Sequence, residues 1–589
     1  MNNNKNETYN IEARSPQAPG GKLPNRRKFL RQVSAALAGG AVLGKAVSAS
    51  AQNFNPAIGD GLALGPAGVT DERVLQAYAL RVDTATREAR IPVPPHTTNG
   101  DEQRYPDKSG TYTKGILQDG IGLVNLQAYK SFRKAINSGK FSDWENIITG
   151  GPRTQNGPLG GRAFTLEGSD DVQFGDAPSP RNQVNQIVVP PAPEIASQTY
   201  ATELVEMYWG SLCRDVAFSD YPTNPLTIAA AAELDRMPAY LGPRDSSGHV
   251  TPQNLFRGIY PGDTVGPYGS QFQLIPTFFG AQAIDQKLNS YLAGQDFMLD
   301  ATTFQAVQNG IDSGEVIATD PIPRYMTSGR DLGTFTRQDV LYQAYFVAAL
   351  VLSGIHAPLN PGNPYVASTK QNGFGTFGGP DIAASIGTAA RAALNSVWYQ
   401  KWWIHLRHRP ESGGGVLRQI LQGFGGTIDA TIHPVALHSQ AVATSFSKFG
   451  DYFLCQAFPE GSPTHPSYPT GHGAVAGACI TMLKFFYDGN YVIPTPVFPS
   501  NDGQTLLPYT GNDAGQITVN GELNKLAHNV SFGHGIHAGI HWRTDTSSSI
   551  QLGEAVALSI LQDRAPAYAE PFSVNIQKID GSIATISNI

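Results

Sequence analysis

The spacing of apolar residues along the chain predicts helices rather than strands. In residues 197–218 the apolar side chains recur at helical spacing, as on one face of an α-helix. These side chains are Leu204, Met207, Tyr208, Leu212 and Val216. Segments 268–300 and 337–355 also have helical patterns, and we find neither a convincing period-2 strand series nor a repeat at a fixed interval. The pattern predicts a mainly α fold.

The regions between these helices are polar or rich in glycine and proline. Residues 52–113 are polar and proline-rich with one helical pattern around 70–90, and we interpret them as an arm that wraps a neighbouring subunit. Glycine- and proline-rich segments at 359–380 and 411–426 are predicted to be irregular loops that separate the last third of the chain into helical blocks. We therefore predict one large helical body that joins an N-terminal arm and helical region, 52–369, to a catalytic region, 370–589.

Composition excludes several classes of protein. The 589 residues are 41% hydrophobic and 15% charged, which is typical of an ordered globular protein. The net charge of −6 and the absence of a long basic run argue against nucleic acid as a partner. The longest apolar run, 344–355, is shorter than the ~20 residues of a membrane-spanning helix. Three cysteines form neither a disulfide framework nor a zinc ribbon, so we expect Cys213, Cys455 and Cys479 to be buried thiols.

The N-terminus has the pattern of an export signal. Arg26 and Arg27 precede a weakly apolar, Ala/Gly-rich stretch over 33–47, and Ala49-Ser50-Ala51 offers the small residues of a signal-peptidase site. We therefore predict a twin-arginine signal peptide over residues 1–51. This prediction makes the protein bacterial and places it in the periplasm or outside the cell.

Histidines indicate where the chemistry lies. Ten of the thirteen histidines lie between His405 and His541, and scattered core histidines would not cluster in this way. A reactive or ligand-binding site is therefore expected in this part of the chain. Three segments contribute to it.

The first segment carries two cations. A predicted helix through 396–407 places Lys401 on one face with Trp398 and His405. The helix must end by Arg409, because the proline that follows disfavours the α conformation of its predecessor. Lys401 and Arg409 could therefore hold one anion from two sides, although cations near a helix end commonly serve only the helix dipole.

The second segment is Pro-Thr-Gly-His at 469–472, followed by small residues that predict a tightly packed helix. Free N–H groups at the start of this helix, the bare Gly471 and the hydroxyl of Thr470 would form an anion site. His472 is then placed to exchange a proton with the bound anion. An ordinary loop before a buried helix would have the same local pattern.

The third segment, 522–554, is predicted to be helical and carries His534, His537 and His541. Asp545 follows His541 by four residues, so its carboxylate can hydrogen-bond one ring nitrogen and leave the other as a ligand or nucleophile. His537 and His541 also resemble half of a zinc site, but no third ligand presents itself. Histidines that are simply satisfied in the core are the remaining alternative.

Together and in this order, the three segments resemble the vanadium-dependent haloperoxidases and the acid phosphatases that share their site. The eight-residue spacing of Lys401 and Arg409 and the segments AFPEGSPTHPSYPTGH, GELNKLAHNV and FSVNIQKIDGSIATI are similar to the algal bromoperoxidase branch. The resemblance implies a mainly α, helical-bundle fold of the acid phosphatase/vanadium haloperoxidase type, with vanadate bound in 370–589. It also implies a homodimer or larger homo-oligomer and, in some members, structural calcium.

The resemblance implies how vanadate is held. Lys401 and Arg409 would bind its oxygens, together with the hydroxyl of Thr470 and the amide of Gly471. His541 would coordinate vanadium through a ring nitrogen, and it is the only metal ligand that the resemblance implies.

The resemblance also implies the reaction. His472 would be the acid–base residue that helps hydrogen peroxide to replace an oxygen ligand. His465 would tune the site, and Trp398 would lie near the halide. Bromide or iodide would be oxidised by hydrogen peroxide to a hypohalous species that halogenates small organic substrates.

Two positions depart from the family pattern. Thr470 stands where serine is usual, which keeps the hydroxyl. Gly535 stands where the family places an arginine, and loss of that charge-assisted contact should weaken vanadate binding by roughly 1.5–3 kcal/mol. We expect His534 to substitute in part, with activity rising as pH falls through its titration, while His537 and Arg543 are the other candidate donors. An arginine restored at position 535 should then tighten binding.

Two other functions fit the same residues. Because phosphate and vanadate are isosteric, the protein could be a phosphomonoesterase in which His541 is the nucleophile and Asp545 orients it. Alternatively, the loss of a cation at Gly535 could mark a non-catalytic relative.

Overall fold

Helices form most of the fold, as the apolar spacing predicts. The computed structural model describes residues 92–162, 186–565 and 568–589. The helices in these ranges are α1 Asp101–Arg104, α2 Leu126–Ser138, α3 Phe141–Trp144, α4 Gln198–Leu212, α5 Pro225–Asp235, α6 Ala301–Gln308, α7 Gly329–Gln338, α8 Gln343–Gly354, α9 Gly379–Tyr399, α10 Pro410–Leu421, α11 Pro434–Leu437, α12 Gln440–Phe449, α13 Gly471–Phe486, α14 Val519–Phe532 and α15 Arg543–Arg564. π-Helical turns cover Gln400–His405 and Gly533–His537.

Short antiparallel hairpins complete the described fold. The strands are β1 Gln118–Gly120, β2 Leu123–Val124, β3 Thr277–Phe279, β4 Gln282–Ile284, β5 Val497–Pro499, β6 Leu506–Pro508, β7 Ser573–Gln577 and β8 Ile583–Ser587. They pair as β1–β2, β3–β4, β5–β6 and β7–β8. The register of β7–β8 runs from Ser573 opposite Ser587 to Gln577 opposite Ile583. None of these two-stranded ribbons extends into a larger sheet among the described residues.

The centre of the bundle is α13, which packs against α9 and α15. Glycines allow this close approach: a Cβ at Gly477 would lie 2.0 Å from the carbonyl oxygen of Ile550, and one at Gly553 would lie 1.9 Å from that of Ala474. Every residue of α13 is buried. The small residues after Gly471 therefore place the N-terminus of this helix deep inside the protein.

The main hydrophobic core draws on both predicted regions of the chain. Its buried residues include Tyr345 from α8, Ile386 from α9, Ile480 from α13 and Ile576 from β7. All described residues belong to the unit Leu80–Ile589. The boundary between residues 369 and 370 stays a prediction.

Three predicted helices differ from the structure. Segment 268–300 contains no α-helix; the β3–β4 hairpin lies there, with aromatic residues before a turn at Gly280 that has φ +58°. Segment 337–355 is divided between the end of α7 and α8, and segment 522–554 is divided between α14 and α15. The β7–β8 hairpin was missed, although Val574 and Ile576 are buried on alternate positions as in a strand.

The loop predicted at 411–426 is also wrong, because most of that segment belongs to α10, in which Pro410 takes the first helical position. Two further predictions agree with the described structure. The helix predicted over 197–218 is α4, and the three cysteines are buried. In the described ranges, no helix combines the length and the apolar character that crossing a bilayer requires. The export signal over 1–51 and the helical pattern around 70–90 lie outside the described residues.

Candidate functional site

A cavity of about 300 Å³ lies at the N-terminal end of α13. The three segments that the sequence singled out meet at this cavity. Its walls include Trp398, His465, Gly471, His472, His534 and His541. The other predicted residues, Lys401, Arg409, Thr470 and Asp545, are fully buried and lie against this wall. The structure thus brings together residues that are up to 147 positions apart in the chain.

His541 is held in one tautomer by its partners. Its Nδ1 lies 2.9 Å from Oδ2 of Asp545, and a carboxylate oxygen can only accept a hydrogen bond, so Nδ1 donates. Its Nε2 lies 2.7 Å from Nη1 of Arg409, which can only donate, so Nε2 carries the lone pair. The predicted pairing of His541 with Asp545 is confirmed, but His541 lies just before α15 and not within a helix.

Asp545 is anchored from several sides. Its Oδ2 also accepts hydrogen bonds from the hydroxyl of Ser467 and from the amide of Trp542 at 3.2 Å. Its Oδ1 lies 2.7 Å from Nη1 of Arg407, and Nη2 of Arg407 lies 2.9 Å from Oε2 of Glu203. Asp545 therefore presents a rigid acceptor to His541, as the partner of a metal-ligating histidine usually does.

Arg407 and Glu203 were missed in the sequence. Arg407 belongs to the same run of residues as Arg409, and nothing in that run distinguishes the arginine that faces His541 from the arginine that anchors Asp545. Glu203 lies on α4, far away in the chain.

Two cations beside His541 lack carboxylate partners. Nζ of Lys401 donates to the carbonyl oxygens of Pro466 and Ser467 at 2.7 and 2.6 Å. Arg409 bonds to the ring and the carbonyl of His465 and to His541. In the described part of the chain, neither cation forms an ion pair with an acid, although both side chains are completely buried. Buried charges of this kind favour a bound counter-ion.

Burial shifts the protonation of these groups. Desolvation lowers the pKa of Lys401 well below its usual range, and the charge of Arg409 adds to the shift. Desolvation likewise lowers the pKa of Arg409 to about 10. For His465 and His541, desolvation followed by the charge of Arg409 lowers the pKa well below its usual range, so both rings are neutral. An anion bound between Lys401 and Arg409 would reduce the repulsion between these two cations.

The helix start supplies hydrogen-bond donors. Thr470 is the residue before α13; its amide is bonded to the carbonyl of Asp545 at 3.1 Å, whereas its buried hydroxyl has no partner. A Cβ at Gly471 would lie 3.2 Å from the ring of Trp398. The first turn of α13 therefore approaches the cavity with bare backbone and one unused hydroxyl, which suits an oxyanion.

His472 is oriented by a residue that the sequence did not reveal. Its Nε2 lies 3.2 Å from Oδ1 of Asp339, the residue that follows α7. The ring of His534 stacks on His472 with centroids 4.0 Å apart. Asp339 has no local sequence signal, because it lies 133 residues before His472 and follows an unrelated helix.

Three residues were candidates to replace the arginine that the family has at position 535, and their positions in the structure differ. His534 lines the cavity with its ring centroid 5.6 Å from that of His541, and its buried Nδ1 has no partner. His537 instead bonds to the hydroxyl of Tyr268 at 3.1 Å, and Arg543 is paired with Glu206. Neither His537 nor Arg543 lines the cavity, so the suggestions that either one supplies the missing donor are wrong.

Position 535 itself does not line the cavity. A Cβ at Gly535 would lie 3.3 Å from the carbonyl oxygen of His541 and 3.5 Å from its Cβ. The π-helical turn Gly533–His537 accounts for this direction, because such a turn contains one residue more than an α-turn. The residue that faces the cavity consequently lies seven positions before His541, at His534.

The remaining sequence predictions concern His405 and zinc. His405 packs against Tyr468 with ring centroids 4.7 Å apart and does not line the cavity. The half zinc site is not formed, because His537 and His541 bind different partners. Among the described residues no three His, Cys, Asp or Glu side chains are grouped to hold a metal ion.

A helical bundle around a buried site that is lined by cations defines a class of oxyanion-binding α protein. Similarity to known proteins identifies the family. The chain is 31% identical to a vanadium-dependent bromoperoxidase of Corallina officinalis, covering 88% of this chain and all of that protein. It is also 31% identical to one of Ascophyllum nodosum, covering 87% of this chain and 92% of that protein. The chain therefore belongs to the vanadium-dependent bromoperoxidase family.

A solved structure agrees with this assignment. The homohexameric structure of the second vanadate-dependent bromoperoxidase of Ascophyllum nodosum matches with a TM-score of 0.79 and 26% identity. The match covers 91% of this chain and 93% of that chain. No protein-family model matches the sequence. The helical fold predicted from the resemblance is thus confirmed, and the family supports a vanadate-dependent haloperoxidase function.

Proposed function

We propose that the protein is an exported vanadate-dependent haloperoxidase that oxidises bromide, or iodide, with hydrogen peroxide. One bromide, one hydrogen peroxide and one proton give hypobromous acid and water; bromide loses two electrons and the O–O bond of the peroxide breaks. The observation that carries the proposal is the lone pair of His541 Nε2, which faces the buried cation Arg409, a guanidinium without a carboxylate partner among the described residues. This arrangement suits an oxyanion that is also a histidine ligand.

The residues present fit vanadate. Lys401 and Arg409 would neutralise its charge, and the amide of Gly471 and the unpartnered hydroxyl of Thr470 would bind its oxygens. His541 would be the ligand to vanadium. Vanadate supplies the Lewis-acid centre that activates hydrogen peroxide towards the halide.

Side chains of the protein would transfer the protons and position the reactants. His472, oriented by Asp339, is the acid–base residue that would take a proton from incoming peroxide and return one to a leaving hydroxyl. Asp545, anchored by Arg407, keeps His541 in the tautomer whose Nε2 carries the lone pair. Arg409 holds the ring of His465, and Trp398 packs on that ring at 4.8 Å, which would place the halide beside both.

His534 would take the position of the missing arginine. It lines the cavity, stacks on His472 and has an unused ring nitrogen. Desolvation, followed by the charge of His472, lowers its pKa well below the usual range, so it is neutral near pH 7 and would act as a hydrogen-bond donor. The rise in activity that accompanies protonation of His534 is therefore expected only well below the pH at which an exposed histidine titrates.

One experiment separates the three candidate functions. Purified protein is loaded with orthovanadate, and the bromination of phenol is measured with bromide and hydrogen peroxide. Vanadate-free protein is tested for hydrolysis of p-nitrophenyl phosphate. We expect bromination that depends on vanadate, is lost in His541→Ala and is kept in His438→Ala, in which an exposed histidine is removed.

The other outcomes are equally clear. Bromination that stays at background after vanadate loading contradicts the proposal. Hydrolysis without bromination would favour the phosphomonoesterase, because the pair His541–Asp545 also suits a phosphoryl acceptor. If His541→Ala keeps the activity of the wild type, the reaction takes place at another site. If the wild type has neither activity, a non-catalytic relative is favoured.

Localisation and assembly complete the proposal. The twin-arginine pattern of residues 1–51 supports export to the periplasm or beyond, and replacement of Arg26 and Arg27 by lysine should retain the protein in the cytoplasm. The hexameric assembly of the similar structure supports a homo-oligomer, which light scattering of the purified protein would measure. Binding of structural calcium stays a prediction from the family, and metal analysis of the purified protein would test it.

A further inference from the structure

We propose that Arg153 binds the carboxylate of an aromatic acid in the cavity wall, so that phenolic acids are the organic substrates of this site. The inference rests on the proposed function, because it names the class of acceptor that the hypohalous species would halogenate. It concerns a residue outside the three segments that hold vanadate.

Arg153 presents a largely unused guanidinium to the cavity. It lines the same cavity as His472 and His541. Its one described side-chain hydrogen bond runs from Nη1 to the carbonyl oxygen of Glu460 at 3.1 Å. A guanidinium has five N–H donors in a planar fork, so most of them are available to a ligand.

The other charged groups of the cavity wall are matched with each other. Arg337 binds the carboxylate of Glu460 through two hydrogen bonds, of 2.7 and 2.9 Å. Asp339 faces His472. Within the described residues, Arg153 is thus a cation of this wall that forms no ion pair with a carboxylate.

The backbone around Arg153 is fixed on both sides. The amide of Arg153 donates to the carbonyl of Gly310 at 3.1 Å, and that of Asn156 donates to Thr464 at 2.8 Å. The indole Nε1 of Trp398 donates to the carbonyl of Asn156 at 3.0 Å. The segment is therefore a preorganised part of the wall, and little ordering is needed when an anion binds.

The remaining wall suits an aromatic ring. Its apolar members include Leu341, Leu394, Trp398, Phe458 and Ile540. A volume of about 300 Å³ lies at the lower end of small-molecule sites and suits a ligand with a single ring. An aromatic acid would place its ring among these side chains and its carboxylate on the guanidinium fork.

The charge of Arg153 also interacts electrostatically with the residues that would bind vanadate. Burial is the main cause that lowers the pKa of Arg409 to about 10, and the charge of Arg153 adds to that shift. An acceptor held by Arg153 would therefore lie in the same cavity in which hypohalous acid forms. The step is a substitution: the ring gains a halogen, and its proton leaves with the hydroxide of the hypohalous acid as water.

Equilibrium binding tests the inference without requiring activity. The full-length, vanadate-free protein is titrated with 4-hydroxybenzoate and with phenol, its uncharged analogue, by calorimetry. We expect 4-hydroxybenzoate to bind at least about tenfold tighter than phenol, Arg153→Gln to remove this difference and Arg153→Lys to retain part of it. Arg236→Gln is the matched control, because it removes the same charge from an exposed position outside the cavity.

Steady-state bromination of the vanadate-loaded enzyme gives the second readout. At saturating bromide, Arg153→Gln should raise KM for 4-hydroxybenzoate about tenfold and leave KM for phenol unchanged. Equal binding of both ligands by the wild type, or the same loss in Arg236→Gln, would overturn the inference. A higher KM for bromide with either acceptor would overturn it too, because Arg153 would then serve the halide. If the carboxylate-dependent binding is present but bromination is absent, the proposed function fails and the binding site stands.

Discussion

Nη1 of Arg409 lies 2.7 Å from Nε2 of His541, so the lone pair that would bind vanadium faces a fully buried cation. The same guanidinium holds the ring of His465 at 2.9 Å. Arginine cannot lose its proton under ordinary conditions, and no acid among the described residues pairs with Arg409. The two rings and the cation therefore form a preorganised receptor for an oxyanion.

This receptor predicts stabilisation by anions. Orthovanadate, or phosphate as its isostere, should raise the melting temperature of the wild type, with about 2.7 kcal/mol of stabilisation at a hundredfold excess over Kd. Lys401→Met should abolish most of this shift because it removes one of the two cations. Lys484→Met is the control, since Lys484 is equally buried but lies outside this cavity. An equal anion-induced shift in both variants would contradict the assignment of Lys401.

Anion binding should also depend on pH. Burial lowers the pKa of Lys401 in the anion-free protein, whereas a bound anion favours its charged form. Affinity for phosphate should therefore increase as pH falls, and binding should take up a proton. Calorimetry in two buffers of different ionisation enthalpy measures this uptake, which should disappear in Lys401→Met. Proton release on binding would refute the linkage.

Asp339 is expected to act through His472. Asp339→Asn keeps a hydrogen-bonding group at 3.2 Å but removes the negative charge that faces the ring of His472. We expect kcat for bromination to fall by about 10–100-fold, with vanadate affinity unchanged. The exposed Asp312→Asn serves as the control for loss of one acidic charge. If vanadate affinity and kcat fall together, Asp339 supports the structure of the whole cavity and does not act specifically on His472.

Positions 534 and 535 should respond differently to arginine. His534→Arg should tighten vanadate binding by about tenfold, because its side chain faces the cavity and adds a charge-assisted contact. Gly535→Arg should not, since its Cβ would point at the backbone of His541. This expectation differs from the one drawn from sequence spacing. Titration of both variants with orthovanadate measures it, and tighter binding only in Gly535→Arg would favour the spacing argument.

Acid should destabilise the protein through its buried neutral histidines. Burial lowers the pKa of His405 to about 3, and neither ring nitrogen has a partner. The unfolded chain binds a proton below about pH 6.5 that the folded protein does not, so stability is complete above that pH and falls below it by about 1.4 kcal/mol per unit for this one group.

Replacement of His405 isolates this effect. His405→Phe should reduce the loss of stability between pH 7 and pH 5 by about 2 kcal/mol, because phenylalanine keeps the ring packing against Tyr468 without a proton to bind. His438→Phe, at an exposed position, should leave the loss unchanged. Denaturant unfolding at the two pH values measures both. An equal pH dependence in wild type and His405→Phe would contradict the lowered pKa.

Much of the site is local in sequence. The start of α13 at Gly471, the end of the preceding cationic helix before Arg409 and the pairing of His541 with Asp545 each depend on residues within a few positions. Glycine, proline and a four-residue spacing act through backbone conformation and short reach, so they can be interpreted without the fold. Together with the family resemblance they were sufficient to predict the oxyanion site and the helical class.

Other features depend on tertiary packing. Asp339 reaches His472 across 133 residues, Arg407 reaches Glu203 across 204, and Arg153 lines the cavity from a loop far away in the chain. The π-helical turn decides that His534 and not position 535 faces the cavity. Such contacts depend on how whole helices pack, and helix packing is a collective property of the core rather than of any short segment. The sequence by itself therefore determined which chemistry the chain carries, whereas only the tertiary structure decided which charges remain unpaired around it.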